Sequence, residues 1–215
     1  MSSLSDLLAD VPLLAEAAPE LRERLASSAY PKKLSRGQVL FVEGEPCDAI
    51  YVVKSGRLKI SVTSPHGDEL VLSVLRPGES VGELGIVDGG TRSAGALALE
   101  DTELVCLPRD AVMTLLHASP EASLALAQEL AATLRRLTSS AADLVFLDLP
   151  RRLAKLLVTG DVDGIAQAQV AARLGVGRQS LNKALSRFAD RGWVEVQRAA
   201  VVVRDRAALQ KFADS

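Results

Sequence analysis

The chain has 215 residues, of which 48% are hydrophobic and only 3% aromatic, so a sizeable core must rest on aliphatic side chains. No apolar stretch approaches the roughly 18 residues of a membrane-spanning helix, and the first residues lack the basic region of a secretory signal. Two widely spaced cysteines, Cys47 and Cys106, exclude a thiolate cluster for zinc or iron–sulfur and a disulfide scaffold. We therefore expect a cytoplasmic protein without membrane association or a bound metal.

The formal net charge of −2 hides an uneven distribution of charge along the chain. Residues 149–215 carry 12 of the 25 Lys and Arg but only 6 of the 27 Asp and Glu, a net charge of +6. Residues 1–148 carry a net charge of −8. A basic carboxyl-terminal third on an acidic body indicates one module that meets a polyanion and one that does not.

The first half of the chain changes from helical to strand periodicity. In residues 4–28, leucines and alanines recur every three or four positions and are interrupted by Pro12 and Pro19, which predicts two short helices. From about residue 36 to 108 the apolar period is two, and glycine- or proline-containing turns divide the segment. The predicted strands are residues 38–43, 49–54, 57–63, 70–75 and 103–107. Short strands at this spacing predict a small antiparallel sandwich or jelly roll.

A glycine-rich segment, residues 81–94, lies between the predicted strands. It combines the carboxylate of Glu83, closely spaced glycines and the pair Arg92-Ser93. Glycines allow backbone N–H groups to approach a phosphate, and an arginine adds charge-assisted donors. The segment therefore predicts a cradle for a small anionic ligand, with a carboxylate able to accept from ribose hydroxyls. A glycine-rich turn with a structural Glu83–Arg92 ion pair is the alternative.

A long helix is predicted from about residue 120 to 147. It has an apolar stripe whose spacing of three and four fits a helix seam: Leu126, Leu130, Leu134, Leu137, Ala141 and Leu144. The stripe either packs on the sandwich of its own chain or forms a two-fold dimer seam. The helix ends at Asp148, which can cap a new helix with Pro150 in its first turn. We expect three parts: residues 1–119, 120–148 and 149–215.

The last part has the pattern of a helix-turn-helix followed by a hairpin. After a short helix at residues 151–159, two helices are predicted at 164–173 and 177–189, with small Ala171 at their crossing and Gly175 in the tight turn. The second helix would present an outer polar face: Arg178, Gln179, Ser180 and Lys183. Alternating valines predict a hairpin from residues 193–197 and 201–204, with a turn at 198–200. The alternative is an ordinary helical hairpin with a solvated face.

Together, and in this order, the glycine-rich segment and the helix-turn-helix resemble the cyclic AMP receptor protein (CRP/FNR) family of bacterial transcription regulators. The resemblance covers nearly the whole chain, including residues 146–152 at the hinge. It implies an α+β fold made of an amino-terminal β-roll (jelly roll) cyclic-nucleotide-binding domain, a long dimerisation helix and a carboxyl-terminal winged helix-turn-helix.

The resemblance also assigns roles to residues of the glycine-rich segment. Glu83 would hold the ribose 2′-hydroxyl and Arg92 the cyclic phosphate, with Ser93 and the backbone of residues 82–84 (Gly82, Glu83 and Leu84) completing the pocket. Adenine would be met by polar residues of the long helix. Here the chain departs from the family, because Leu137 stands where cyclic AMP binders usually carry Thr, with Thr138 at the next polar position. Cyclic AMP is the favoured effector, and a different ligand or none is the alternative.

At the positions where the family contacts DNA, this chain keeps one family residue and departs from the family at two. Arg178 is kept, but Gln179 stands where the family usually has Glu, and Lys183 where it often has Arg. Because Glu accepts from cytosine N4 and Gln favours adenine, we expect a half-site unlike the usual family sequence. Gln167 and Ser180 resemble phosphate contacts, which position the protein on DNA without specifying the sequence.

Other branches of the family and other functions are disfavoured by missing residues. No cysteine cluster precedes Cys47, as an oxygen sensor of this family would need, and His66 in a Pro-His-Gly turn is a poor axial ligand for haem. The chain has no nucleophile–base pair and no phosphate-binding loop of the nucleotide triphosphatases, so an enzyme is not expected. The leading interpretation is a homodimeric regulator that binds double-stranded DNA and meets RNA polymerase. The second is a cyclic-nucleotide module that acts through protein partners.

Overall fold

A computed structural model describes residue 8 and residues 11–15, 17–159, 167–197 and 201–214. The chain divides into two compact units, the first made of residues 1–62 and 72–134 and the second of residues 63–71 and 135–215. Among the described residues, no helix combines the length and apolar character needed to span a membrane.

The first half of the chain alternates strands with short helices before one long helix. In chain order the elements are α1 (Pro12–Ala15), α2 (Pro19–Ser28), β1 (Tyr30–Leu34), β2 (Val39–Phe41), β3 (Ala49–Ser55), β4 (Leu58–Thr63), β5 (Glu69–Leu75), β6 (Ser80–Val81), α3 (Glu83–Asp88), β7 (Gly95–Ala98), β8 (Thr102–Pro108), α4 (Arg109–Ala118) and α5 (Pro120–Phe146). The two prolines expected to interrupt helices instead begin α1 and α2, because the first turn of a helix tolerates the missing N–H group.

The strands form two four-stranded sheets, with orders β1-β8-β3-β6 and β2-β7-β4-β5. The registered pairs are antiparallel, so the predicted sandwich is confirmed. β1, β6 and β7 were not predicted from the sequence. β1 contains Pro31 and two lysines, which hide its alternation, and it lies at a sheet edge, where proline is tolerated.

Two apolar clusters stabilise the first unit. One fills the space between the sheets and includes Leu34, Leu40, Phe41, Tyr51, Val53, Leu58, Ile60, Leu104 and Cys106. The other contains residues of α2, α4 and the start of α5 packed with residues of β3 and β8, among them Leu25, Ile50, Val52, Leu107, Val112, Leu115 and Leu126. The helix α4 was not predicted, and it supplies much of this second cluster.

The second unit contains the carboxyl-terminal helices and a hairpin. After α5, the elements are α6 (Leu149–Thr159), α7 (Gln167–Leu174), α8 (Arg178–Ala189), β9 (Val194–Val196), β10 (Val201–Val203) and α9 (Arg206–Ala213). The predicted hairpin pairs in antiparallel register, with Val201 opposite Val196. The turn expected at residues 198–200 and the helix start expected at 164 lie outside the described residues. The predicted α+β organisation is confirmed, and α9 is an addition to it.

An aromatic trio holds the end of α8 to the hairpin and to α9. The rings of Phe188, Trp193 and Phe212 lie with centroids 5.5 to 5.7 Å apart. Phe188 is 1% exposed, and helices α6 to α8 contribute further buried aliphatic side chains: Leu153, Leu157, Val170, Leu174, Leu181 and Leu185. Aromatic pairs at these separations add to the stabilisation from apolar burial.

The leucine stripe of α5 changes its environment along the helix. Leu126 is buried in the second apolar cluster of the first unit and Leu130 packs beside it. Further along, Leu134, Leu137 and Leu144 are 65, 52 and 58% exposed. Packing on the same chain therefore holds for the start of the stripe. The dimer seam stays a prediction for the rest, and so does the division at residues 119 and 148.

Candidate functional site

The glycine-rich segment contains a short helix that the sequence did not predict. β6 ends at Val81, Gly82 turns the chain with φ +110°, and α3 follows for six residues before Gly89 at φ +74°. Only glycine adopts these backbone angles without strain. The cradle expected between strands is therefore a strand–glycine–helix turn.

Side chains from outside the segment hold its backbone carbonyl groups. The Cys47 thiol donates to the Gly82 carbonyl at 3.2 Å, and Arg109 donates through Nη1 to the Gly85 carbonyl at 2.8 Å. Burial raises the pKa of the Cys47 thiol, which keeps the proton that it donates. A Cβ on Gly85 would lie 2.5 Å from the Cβ of Cys47, so the two residues are in close contact. The sequence analysis did not predict the role of either Cys47 or Arg109 in holding this segment.

Arg92 is buried, with 4% of its surface exposed. Its guanidinium donates through Nη1 to the Ala49 carbonyl at 2.9 Å and through Nη2 to Asp48 Oδ1 at 3.2 Å. Its Nε is buried and has no hydrogen-bond acceptor. Arg92 thus pairs with Asp48, and the Glu83–Arg92 ion pair that the sequence allowed is not formed between these two described residues.

Of the predicted ligand residues, the structure brings Gly82 and Arg92 together. The Arg92 guanidinium occupies the space that a Gly82 Cβ would need. Glu83, half-buried, accepts a hydrogen bond from the Ser80 hydroxyl, while Leu84 and Ser93 are exposed. The remaining two, Leu137 and Thr138, are exposed residues of α5 in the second unit. These assignments stay predictions.

One cavity, beside the end of α3, is apolar and does not suit an anion. It has a volume of about 190 Å³, belongs to the first unit and is lined by Val87, Met113, Leu116, Ser123, Leu126, Ala127 and Leu130. Among the described residues, no group of three His, Cys, Asp or Glu is arranged to hold a metal ion. Cys47 and Cys106 are buried and unlinked, and His66 is exposed in the turn between β4 and β5.

The turn between α7 and α8 has the backbone that a helix-turn-helix requires. Gly175 adopts φ +63° and donates its N–H to the Ala172 carbonyl at 3.2 Å. The Val176 N–H donates to the carbonyl of Ala171, which is 3% exposed at the helix crossing. Arg152 of α6 donates to the Leu174 carbonyl at 3.2 Å, so α6 braces the end of α7. That contact had no signal in the sequence.

The predicted DNA contacts lie on one exposed surface of α8, with one exception. Leu181 and Leu185 are buried, which leaves the opposite side of the helix exposed, with Arg178, Gln179, Ser180 and Lys183. The exception is Gln167 at the start of α7, which is half-buried and donates through Nε2 to the Gln197 carbonyl at 3.4 Å. Gln167 therefore contacts the end of the hairpin's first strand.

A β-sandwich followed by a long helix, a helix-turn-helix and a hairpin is the domain arrangement of a class of transcription regulators. The sequence profile of the cyclic nucleotide-binding domain matches residues 31–119, and that of the Crp-like helix-turn-helix domain matches residues 128–212. The chain belongs to the CRP/FNR family of transcription regulators.

Relatives with similar sequences match over nearly their full length. A CRP-like cAMP-activated global transcriptional regulator of Mycobacterium tuberculosis is 33% identical over 223 residues, covering 98% of this chain and 100% of that protein. A cyclic AMP receptor protein of Thermus thermophilus is 34% identical over 209 residues, covering 94% and 96%.

Solved structures agree on the fold. The catabolite activator protein of Thermus thermophilus matches with a TM-score of 0.57 at 33% identity, covering 94% of this chain and 98% of that one. A CRP/FNR-family regulator from Eubacterium rectale reaches a TM-score of 0.78 at 19% identity, covering 96% of this chain and 99% of that one. At that identity the likeness supports the fold alone.

Proposed function

We propose that this protein is a homodimeric, cytoplasmic regulator whose sandwich binds a cyclic nucleotide, with cyclic AMP favoured, and thereby controls binding to a palindromic DNA operator. The observation that carries the ligand half is the buried Arg92 guanidinium, whose Nε has no acceptor. A buried cationic donor without an acceptor costs free energy. A phosphate oxygen that supplied the acceptor would therefore bind favourably.

The sugar would be bound by Glu83 and the base by residues of α5. Glu83 lies in the same glycine-rich segment as Arg92 and can accept hydrogen bonds from the sugar. The hydrogen bond that it accepts from the Ser80 hydroxyl keeps its carboxylate oriented at the start of α3. Leu137 in place of a hydroxyl residue removes one polar contact to the base, while Thr138 retains a hydroxyl. Cyclic AMP is favoured because both relatives described above carry cyclic AMP in their names.

The DNA half of the proposal rests on the exposed face of α8. Arg178 offers the bidentate donors that guanine accepts in the major groove, and Gln179 suits adenine. Ser180 and Gln167 would contact phosphates, and Lys183 would add a cation. We expect two such helices in a dimer to reach successive major grooves about 34 Å apart.

Ligand binding would be transmitted through α5 to the DNA-binding helices. The exposed part of the α5 stripe supports a seam with a second copy, and α6 begins directly after α5 with Asp148 accepting from the Arg151 N–H at 3.0 Å. A ligand that binds one arrangement of the helices more tightly shifts the population toward it. We expect such a shift to pivot the basic modules about Asp148. RNA polymerase would be the partner at the promoter, and no catalytic step is involved.

The ligand half is tested by calorimetric titration with cyclic AMP, and with cyclic GMP in parallel. We expect a dissociation constant on the order of micromolar or tighter for one nucleotide, lost in Arg92→Ala. Arg57→Ala is the matched control, because Arg57 forms an ion pair with Glu100 at 3.0 Å in the same unit but takes no part in the site. Normal binding by Arg92→Ala would refute the pocket. No heat from either nucleotide would indicate a regulator of another ligand or of none.

The DNA half is tested with duplexes selected from a random library, with and without the nucleotide that binds. The selected half-site should differ from the usual family sequence and revert toward it with Gln179→Glu. Affinity should fall steeply with salt, because phosphate contacts release counterions. Failure to bind any duplex would favour the module that acts through protein partners.

A further inference from the structure

We propose that Phe41 and Tyr51 form an aromatic platform that positions the Arg92 guanidinium for its anionic ligand. This inference rests on the proposed function and adds two positioning residues to it. Neither residue lies in the glycine-rich segment, and neither was singled out from the sequence.

The platform is defined by three distances. The Cζ of Arg92 lies 4.3 Å from the ring centroid of Phe41 and 5.1 Å from that of Tyr51. The two ring centroids are 5.8 Å apart, with their planes tilted by 32°. Because the rings are this close together, they form adjoining surfaces along the guanidinium rather than the two sides of a sandwich.

The two rings stabilise the positive charge of the Arg92 guanidinium, which its ion pair with Asp48 does only weakly. The guanidinium is taken out of water, yet its acidic partner Asp48 has a side chain that is 74% exposed. Charge pairs with an exposed partner are weakened by solvent, whereas the negative faces of buried aromatic rings attract a desolvated cation. The platform therefore stabilises the charge of Arg92 while leaving Nε without an acceptor.

The platform is rigid because its two residues come from both sheets of the sandwich. Phe41 ends β2 and Tyr51 lies in the middle of β3, and both belong to the apolar cluster between the sheets. They are 6% and 5% exposed. The position of the guanidinium is thus set by the packing of the two sheets, and a binding site whose cation is already ordered loses less entropy when a ligand arrives.

The test compares ring-removing with ring-retaining variants. Phe41→Leu and Tyr51→Leu remove a ring, whereas Phe41→Tyr and Tyr51→Phe keep it. Val53→Ala is the control for core volume, because Val53 lies on the same strand as Tyr51, in the same cluster. Nucleotide affinity is measured by calorimetry and folding by thermal unfolding. The Arg92 Nε–H resonance is recorded by NMR without nucleotide, since nearby ring faces shift it.

We expect each ring-removing variant to bind the nucleotide at least about tenfold more weakly, which corresponds to about 1.4 kcal/mol. The ring-retaining variants should bind within about threefold of the wild type, and Val53→Ala should lose stability without losing affinity. Ring-removing variants that fold and bind normally would overturn the platform.

The NMR measurement separates this inference from the proposed function. If the wild type binds no nucleotide, the proposed function fails, and the platform is judged on the Arg92 resonance alone. A resonance that moves in Phe41→Leu and Tyr51→Leu, and stays in the ring-retaining variants, supports the platform. A resonance unchanged in all variants overturns it.

Discussion

At the scale of single residues, the contacts around Arg92 depend on one glycine. Gly82 has φ +110°, and a Cβ there would collide with the Arg92 guanidinium and lie 2.8 Å from the Ala49 carbonyl oxygen. Two constraints, one on the backbone and one on space, thus meet at the residue that precedes α3. The same carbonyl oxygen accepts from Arg92, so a shift at residue 82 disturbs the arginine directly.

We therefore expect Gly82→Ala to lose both stability and ligand binding. Backbone strain at such a φ costs about 1–3 kcal/mol, and displacement of the guanidinium should weaken nucleotide binding at least about tenfold, or about 1.4 kcal/mol. Thermal unfolding and calorimetry measure the two effects.

Gly78→Ala is the matched control, because Gly78 has φ +89° and nothing within 4 Å of its Cβ position. It should lower stability and leave affinity unchanged. If Gly82→Ala binds the nucleotide with wild-type affinity, then binding does not require the close contact between Gly82 and Arg92.

At the scale of elements, α5 changes its partner along its length. Its first turns contribute Ala122 and Leu126 to the core of the first unit, whereas the later part of its stripe is more than half exposed. Exposed apolar residues that recur along one face of a helix mark an interaction surface, whereas exposed apolar residues that occur singly are common on any protein. A second copy of the helix, presenting the same stripe, would cover it with matching spacing.

We expect Leu144→Asp to dissociate the dimer, because it places a charge in the proposed seam. Sedimentation velocity should report a shift from dimer to monomer at micromolar protein. Leu124→Asp is the control: Leu124 is 59% exposed on the same helix but lies off the stripe. A dimer that persists in Leu144→Asp, or dissociates equally in both variants, would place the interface elsewhere.

At the scale of the whole molecule, the two units differ in the surroundings of their titratable groups. The first unit has aliphatic clusters with two buried titratable groups facing each other across β3 and β8, Tyr51 and Cys106. In the second unit, Glu195 lies at the surface in an ion pair with Arg204, which lowers the pKa of the Glu195 carboxyl. Buried groups that must stay neutral make the first unit sensitive to alkaline pH.

Burial raises the pKa of Cys106 from 9.0 to about 11 and that of Tyr51 from 10.0 to about 12. The unfolded thiol ionises first, so its stabilising contribution is complete below pH 9 and is lost as the pH rises to about 11. Urea unfolding should therefore show stability falling with pH in this window. Cys106→Ala should reduce the slope by about 1.4 kcal/mol per pH unit. If the dependence of stability on pH is the same in Cys106→Ala, then folding does not raise the pKa of the Cys106 thiol.

The sequence by itself determined the order of modules, most strands, the long helix and the helix-turn-helix. Those features depend on local period and turn chemistry, such as alternating residues in β4 and the positive φ of Gly175. It also picked out Arg92 and Gly82, whose residue types are informative in their immediate context. Edge strand β1 and helices α4 and α9 were not predicted from the sequence. Their apolar patterns are short or broken, and these elements are stabilised by pairing or packing with the rest of the fold.

Only the tertiary structure decided what surrounds Arg92. Asp48 and Ala49 are 44 and 43 residues from it in the chain, and Phe41 and Tyr51 come from different sheets, so no local pattern could associate them. Their contacts arise from the closure of the sandwich, which brings β2, β3 and the glycine-rich segment together. Spacing in the sequence reports the requirements of each element, whereas these contacts depend on which faces the sheets bury against each other.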